Sequence, residues 1–118
     1  MGITKAMLIY KIFRSGEWAD LQAKGETAGA PVDLADGFVH FSTAKQVAET
    51  AARHFAGEED LYLLAVSAES LGDDLKWEAS RDGQDFPHLY RNLRMEDLIW
   101  HWPIPVDEGF QQFPEDLE

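Results

Sequence analysis

The sequence predicts an α+β domain, and three features carry that reading. Five apolar runs have strand length, two segments have helix spacing, and the order lacks the strict strand–helix alternation of a doubly wound sheet. At 118 residues, slightly under half of them apolar, the chain has room for one core and one domain spanning 1–118.

Met7–Phe13 is short, apolar and bounded by charge, which predicts a strand. Ser15 is placed to cap a helix running to about Ala23, with Trp18 and Leu21 on its buried side and Gly25 as its stop. The stretch Glu26–Leu34 contains Gly29 and Pro31, lacks a period, and is expected to be a loop. Asp36-Gly37 then turns the chain into a second strand, Phe38–Phe41. Thr43 and Gln46 form a capping box for a helix on which Val47, Ala51, His54 and Phe55 share the apolar stripe, stopped by Gly57. Leu61–Val66 is continuously apolar, as in a strand covered on both faces. Ser67–Asp74 is a connection with space for a helical turn. Leu75–Ala79 alternates, with Leu75, Trp77 and Ala79 on one face and Lys76 and Glu78 on the other. Phe86–Leu89 is a short strand or loop around Pro87. Met95–Trp102 has strand composition, with Glu96 and Asp97 able to open a helical turn, and regular structure is expected to end in the acidic tail 107–118.

Charge narrows the function. The net charge is −12, and beyond Gly57 sixteen acids face only Lys76, Arg81, Arg91 and Arg94. Duplex binding draws its affinity from phosphate neutralisation, so general nucleic-acid binding is not expected. The apolar runs fall far short of a membrane span, and Ala6 stands where a myristoylation signal needs serine or threonine. With no cysteine, disulfides and thiolate metal sites are excluded, and the expected location is the cytoplasm.

The chemistry must come from polar residues in costly places, because no phosphate-binding glycine loop, nucleophile elbow or metalloprotease helix is present. His40 shares a strand face with Phe38 and sits beside the helix start at Ser42 and Thr43, whose free N–H groups favour anions. It is either a cleft residue that meets a ribose hydroxyl or exchanges protons, or a core histidine satisfied by a carbonyl. Glu78 is either an exposed partner of Lys76 or a carboxylate lining a cleft. Phe86-Pro87-His88-Leu89-Tyr90 suits the wall of a flat-heterocycle site and equally a flap over the core. No histidine pair has helical metal-ligand spacing, so no metal is expected.

These residues resemble a known family. Trp18, Gly25, Asp33, the block Asp36-Gly37-Phe38-Val39-His40-Phe41-Ser42-Thr43, Gln46-Val47, Trp77-Glu78 with Ser80-Arg81, and Phe86 to Tyr90 are similar to small bacterial proteins of domain-of-unknown-function family 952. That resemblance implies a fold like the ADP-ribosyltransferases and NAD-using RNA 2′-phosphotransferases, with split antiparallel or mixed β-sheets, two main helices and NAD held between the sheets. It implies His40 on a ribose of NAD, His88 or Tyr90 at the second cleft position, and Glu78 as the acidic residue. Ser42, Thr43, Arg81 and Tyr90 are the implied binding residues. Asp82 and Arg91 depart from the family pattern, and Arg91 offers a further phosphate contact.

Three roles follow as expectations: an NAD-using ADP-ribosyl-transfer type enzyme, a non-catalytic pocket for a nucleotide or related metabolite, and an interaction module that uses the acidic tail with Phe110 and Phe113.

Overall fold

A computed structural model describes residues 7–80, 83–114 and 117. Strand β1 (Leu8–Arg14) is buried over most of its length and runs directly into helix α1 (Ser15–Lys24). The cap of α1 is Arg14 and not Ser15, and Glu17 reaches back to accept the Arg14 backbone N–H at 2.9 Å, the carboxylate half of a capping box. Trp18 and Leu21 are buried as their spacing predicts, and Gly25 closes the helix with φ 79°.

The expected loop at 26–34 is instead a short strand, β2 (Glu26–Thr27), and a helix, α2 (Pro31–Asp36). Pro31 sits in the first helical turn, where its missing N–H costs nothing, and Asp33 accepts the Ala30 N–H at 2.7 Å. Strand β3 (Val39–His40) follows, then α3 (Val47–His54). Half of the expected capping box forms, the Thr43 N–H donating to Gln46 Oε1 at 3.0 Å, but regular helix starts only at Val47. His54, expected in the core, is exposed.

Strand β4 (Leu61–Ser67) leads through α4 (Ala68–Leu71) and a 3₁₀ turn (Gly72–Asp74) to β5 (Leu75–Ala79). Next come β6 (Asp85–Leu89), β7 (Leu93–Arg94), a 3₁₀ turn (Met95–Asp97) and β8 (Leu98–Pro103). Regular structure does not end there. Strands β9 (Val106–Asp107) and β10 (Phe110–Gln111) pair as a ribbon, and Gln111 Nε2 donates to the Phe55 carbonyl at 2.7 Å. Phe113 and Leu117 pack against the core, while Phe110 stays 73% exposed.

Two three-stranded antiparallel sheets organise these elements, ordered β1-β4-β8 and β3-β6-β5. Central β4 is covered on both faces, as its unbroken apolar run predicts. Leu64 and Val66 enter a core shared with Ile9, Phe13, Leu21 and Leu89; Leu63 and Ala65 enter a second with Tyr10, Ile12, Val47 and Ala51. Strand β3, expected to be central, lies at the edge of its sheet. The sheets meet at a seam where Tyr10 and Ser42 exchange backbone hydrogen bonds of 2.7 and 2.8 Å. No helix is long and apolar enough to cross a membrane among the described residues.

Leu64 is fully buried at this centre, so Leu64→Ala is expected to lower unfolding free energy by about 2–5 kcal/mol in urea titration. Ile99→Ala, at an exposed position of β8, is expected to stay within about 0.5 kcal/mol of the parent.

Candidate functional site

Antiparallel pairing of β3 with β6 sets His40 directly opposite His88, and pairing of β6 with β5 sets Lys76 opposite His88 and Glu78 opposite Phe86. Paired residues share a sheet face. The alternate residues Val39 and Leu89 point the other way and are fully buried in the core. The imidazoles therefore stand together on the face that the core does not use, with ring centroids 5.2 Å apart. Phe38 packs on both, 4.2 Å from His88 and 4.5 Å from His40, and reaches Tyr90 at 5.1 Å.

Each imidazole is aimed by a carboxylate. His88 Nδ1 lies 2.8 Å from Glu78 Oε1, and the Tyr90 hydroxyl donates to the same oxygen at 2.7 Å. Those two contacts, Tyr90 first and His88 second, hold the Glu78 carboxyl below its usual range, and Glu78 in turn pushes the Tyr90 phenol up. The Glu78–His88 contact is diagonal across the strands, so Lys76, the sequence neighbour of opposite charge, is not what orders Glu78.

His40 is held by Asp33, whose side chain is fully buried. Asp33 Oδ1 accepts from His40 Nδ1 at 2.6 Å, from the His40 N–H at 3.0 Å and from Lys11 Nζ at 3.0 Å. Oδ2 accepts from the Ala30 N–H at 2.7 Å and lies 2.7 Å from Lys11 Nζ. Burial alone pushes Asp33 up, but the His40 hydrogen bond and the Lys11 charge and hydrogen bond outweigh it, and the carboxyl stays below its ordinary value. Burial lowers the Lys11 ammonium, with Asp33 pulling the other way. Gly29 at φ 111° leaves the space that the Asp33 side chain fills; any Cβ there would collide with it. The second nitrogen of His40, Nε2, meets half-exposed Asp36 Oδ2 at 3.0 Å.

A cleft of about 640 Å³ opens between the two sheets. His40 and His88 line it, together with Phe41 and Phe86 as apolar wall and Ser42 at the seam. Two cations also line it, and both are occupied: Lys11 by Asp33, and Arg14 by Glu58 through contacts of 2.7 and 2.9 Å. The arrangement can stack a flat ring, meet hydroxyls with imidazole and move a proton, and among the described residues its lining Lys11 and Arg14 are already compensated by carboxylates.

Of the residues singled out in the sequence, His40, His88 and Ser42 line the cleft, while Glu78 and Tyr90 stand behind the His88 ring and fix it. Thr43 is not part of the lining, and its amide is taken by Gln46. Arg81 lies outside the described residues. Arg91 is bound by Asp97 at 2.9 and 3.0 Å and does not reach the cleft. The sequence marks Asp36 as a turn residue and Asp33 within the family resemblance, but gives neither of them, nor Lys11, a part in the site. The legible signal was the acid at the third position after Ala30, a helix-start pattern hidden by Gly29 and Pro31. His54 lines the cleft in place of the core position expected of it. No cluster of three histidine, aspartate or glutamate side chains is arranged to hold a metal ion among the described residues.

The model of the family described as "Protein of unknown function (DUF952)" matches residues 12–101, and the chain belongs to that family. The crystal structure of protein CC0527 from Caulobacter crescentus is 51% identical, covers 89% of this chain and 93% of its own, and superposes with a TM-score of 0.85. The solution structure of CC0527 is 50% identical over 88% of this chain and 90% of its own, with a TM-score of 0.79. No match is found among curated proteins.

Removing the Asp33 charge leaves Lys11 buried and uncompensated, so Asp33→Asn is expected to cost about 3–5 kcal/mol at neutral pH. Because the folded-state value of Asp33 is depressed, its contribution is complete above the ordinary aspartate value of 3.8 and is lost as pH falls through the lower folded value. In urea titrations, the gap between parent and variant should therefore hold down to about pH 4 and narrow below it.

Proposed function

We propose, for this member of domain-of-unknown-function family 952, that the cleft binds a nucleotide, NAD in particular, and supports ADP-ribosyl-transfer-type chemistry. The observation that carries the reading is the pair of imidazoles opposed across β3 and β6, each aimed by a carboxylate, on the wall of a 640 Å³ cleft between two sheets. NAD is named because the sequence resemblance implies a fold like the ADP-ribosyltransferases and NAD-using RNA 2′-phosphotransferases, which hold NAD between small sheets.

In this reading His40 orients the ribose. Its Nδ1 is locked by Asp33, and half-exposed Asp36 is the partner that a ribose hydroxyl displaces from Nε2. Nicotinamide leaves with the electron pair of its bond to the ribose, and the ionised Glu78 carboxylate behind His88 supplies potential that opposes the positive charge left there. Water or an acceptor hydroxyl then forms the new bond to that carbon and gives up its proton. Phe86 and Phe41 take the flat ring. Ser42 and Arg81 are assigned to the phosphates, since Lys11 and Arg14 are occupied. Those same ion pairs favour a second reading, a non-catalytic pocket for an uncharged nucleoside or related metabolite.

Thermal unfolding with NAD and with adenosine, combined with chromatography of free nicotinamide, separates the two. A hundredfold excess of NAD over its Kd is expected to stabilise by about 2.7 kcal/mol, roughly 10 °C in Tm, with nicotinamide accumulating and the shift lost in His40→Ala. Stabilisation by NAD with no nicotinamide at saturation removes the transfer reaction and keeps binding. A shift with adenosine alone selects the second reading, and no shift with either ligand rejects both.

A further inference from the structure

One buried group near the cleft is left unused: Nε2 of His88. The side chain is 6% exposed, and Nε2 has no hydrogen-bond partner among the described residues. Buried polar atoms are nearly always paired, so an orphan on a side chain that lines a cavity needs a reason. Its opposite nitrogen is committed. Glu78 Oε1 stands 2.8 Å from Nδ1 and is braced at 2.7 Å by the Tyr90 hydroxyl. A carboxylate only accepts, so Nδ1 carries the proton, and in the neutral ring Nε2 is a bare acceptor. The adjacent imidazole cannot supply the missing donor, because both His40 nitrogens face carboxylates, Asp33 and Asp36. Phe38, stacked on the ring, has no donor to give. Glu78 and Tyr90 hold the Nδ1 side and do not line the cleft, whereas His88 does.

We propose that His88 Nε2 is the acceptor for one hydrogen-bond donor on the ligand, an O–H or N–H, and that Glu78, braced by Tyr90, is the positioning residue that fixes this tautomer. The inference rests on reading the cleft as a ligand site and adds the chemical class that the site selects. The group presented to His88 is an uncharged hydroxyl or amide on a ring or sugar, and not a carboxylate. An anionic oxygen would meet a lone pair with the Glu78 charge behind it, and among the described residues the lining cations Lys11 and Arg14 already have carboxylate partners.

Long-range proton–nitrogen correlation NMR at about pH 8, where histidine is ordinarily neutral, reads this directly. In the free protein His88 is expected as the Nδ1–H tautomer, and Glu78→Ala is expected to give a tautomer mixture with the amide spectrum otherwise retained. Nicotinamide, adenosine and NAD are expected to move the Nε2 resonance on binding, and nicotinate is expected to bind roughly tenfold or more weakly than nicotinamide. An Nε2–H tautomer in the free protein, an unchanged tautomer in Glu78→Ala, or nicotinate binding as well as nicotinamide overturns the proposal. NAD that binds and leaves Nε2 unmoved overturns it while the NAD reading stands. Adenosine that moves Nε2 when NAD does not bind removes the NAD reading and keeps this one. Silence from all four probes at millimolar concentration overturns both.

Discussion

Burying a lone carboxylate costs several kcal/mol, and Asp33 meets that cost by gathering donors from three parts of the chain. The Lys11 ammonium comes from β1, the Ala30 N–H from the start of α2, and the ring and backbone N–H of His40 from β3. One side chain thus ties the first sheet to the strand bearing the first cleft histidine. Each participant is costly alone: Lys11 is a buried cation, Asp33 a buried anion, and His40 a polar ring beside apolar walls. Together they are mutually satisfied, and the geometry of the cleft floor follows from where that satisfaction is possible.

The two imidazoles are supported differently, and the difference separates their tasks. His40 is anchored from the protein interior and meets Asp36 at its outer nitrogen, where a ligand group can replace a half-exposed carboxylate. His88 is anchored from the more exposed side, by Glu78 and Tyr90, and keeps its free nitrogen inside. Phe38 lies against both rings and restricts their tilt. Orientation by neighbours of fixed position is what a binding site needs if it is not to spend ligand affinity on ordering itself.

Much of the fold was legible because its signals were local. The unbroken apolar run of β4, the spacing of Trp18 and Leu21 and the alternation of β5 each depend only on period. Elements were missed where one residue type serves two purposes. Gly29 and Pro31 break structure in most contexts, yet here Pro31 starts α2 and Gly29 clears space for Asp33. The tail was read from its charge, which hid the β9–β10 ribbon and the docking of Phe113. In the site, His40 and His88 stood out as polar residues in strand-like runs. Asp33 did not, because its decisive partner Lys11 is distant in sequence and only tertiary structure joins them. For Glu78 the sequence leaves open an exposed pairing with Lys76 and a carboxylate lining a cleft, whereas its oxygen serves a histidine on the neighbouring strand from behind the cleft wall.

The strand order carries a consequence for synthesis. Each three-stranded sheet draws members from the early and the late parts of the chain: β1 waits for β4 and β8, and β3 waits for β5 and β6. The β1-β4-β8 sheet closes only when β8 has been made, whereas β3-β6-β5 is complete at Leu89, and no single cut leaves a finished sheet on both sides. Local helices are free to form early, but long-range pairing must wait and is slow to nucleate. In the first half of the chain β1 and β3 therefore stand without their sheet partners, and the acidic excess that favours solubility belongs to the half that supplies those partners.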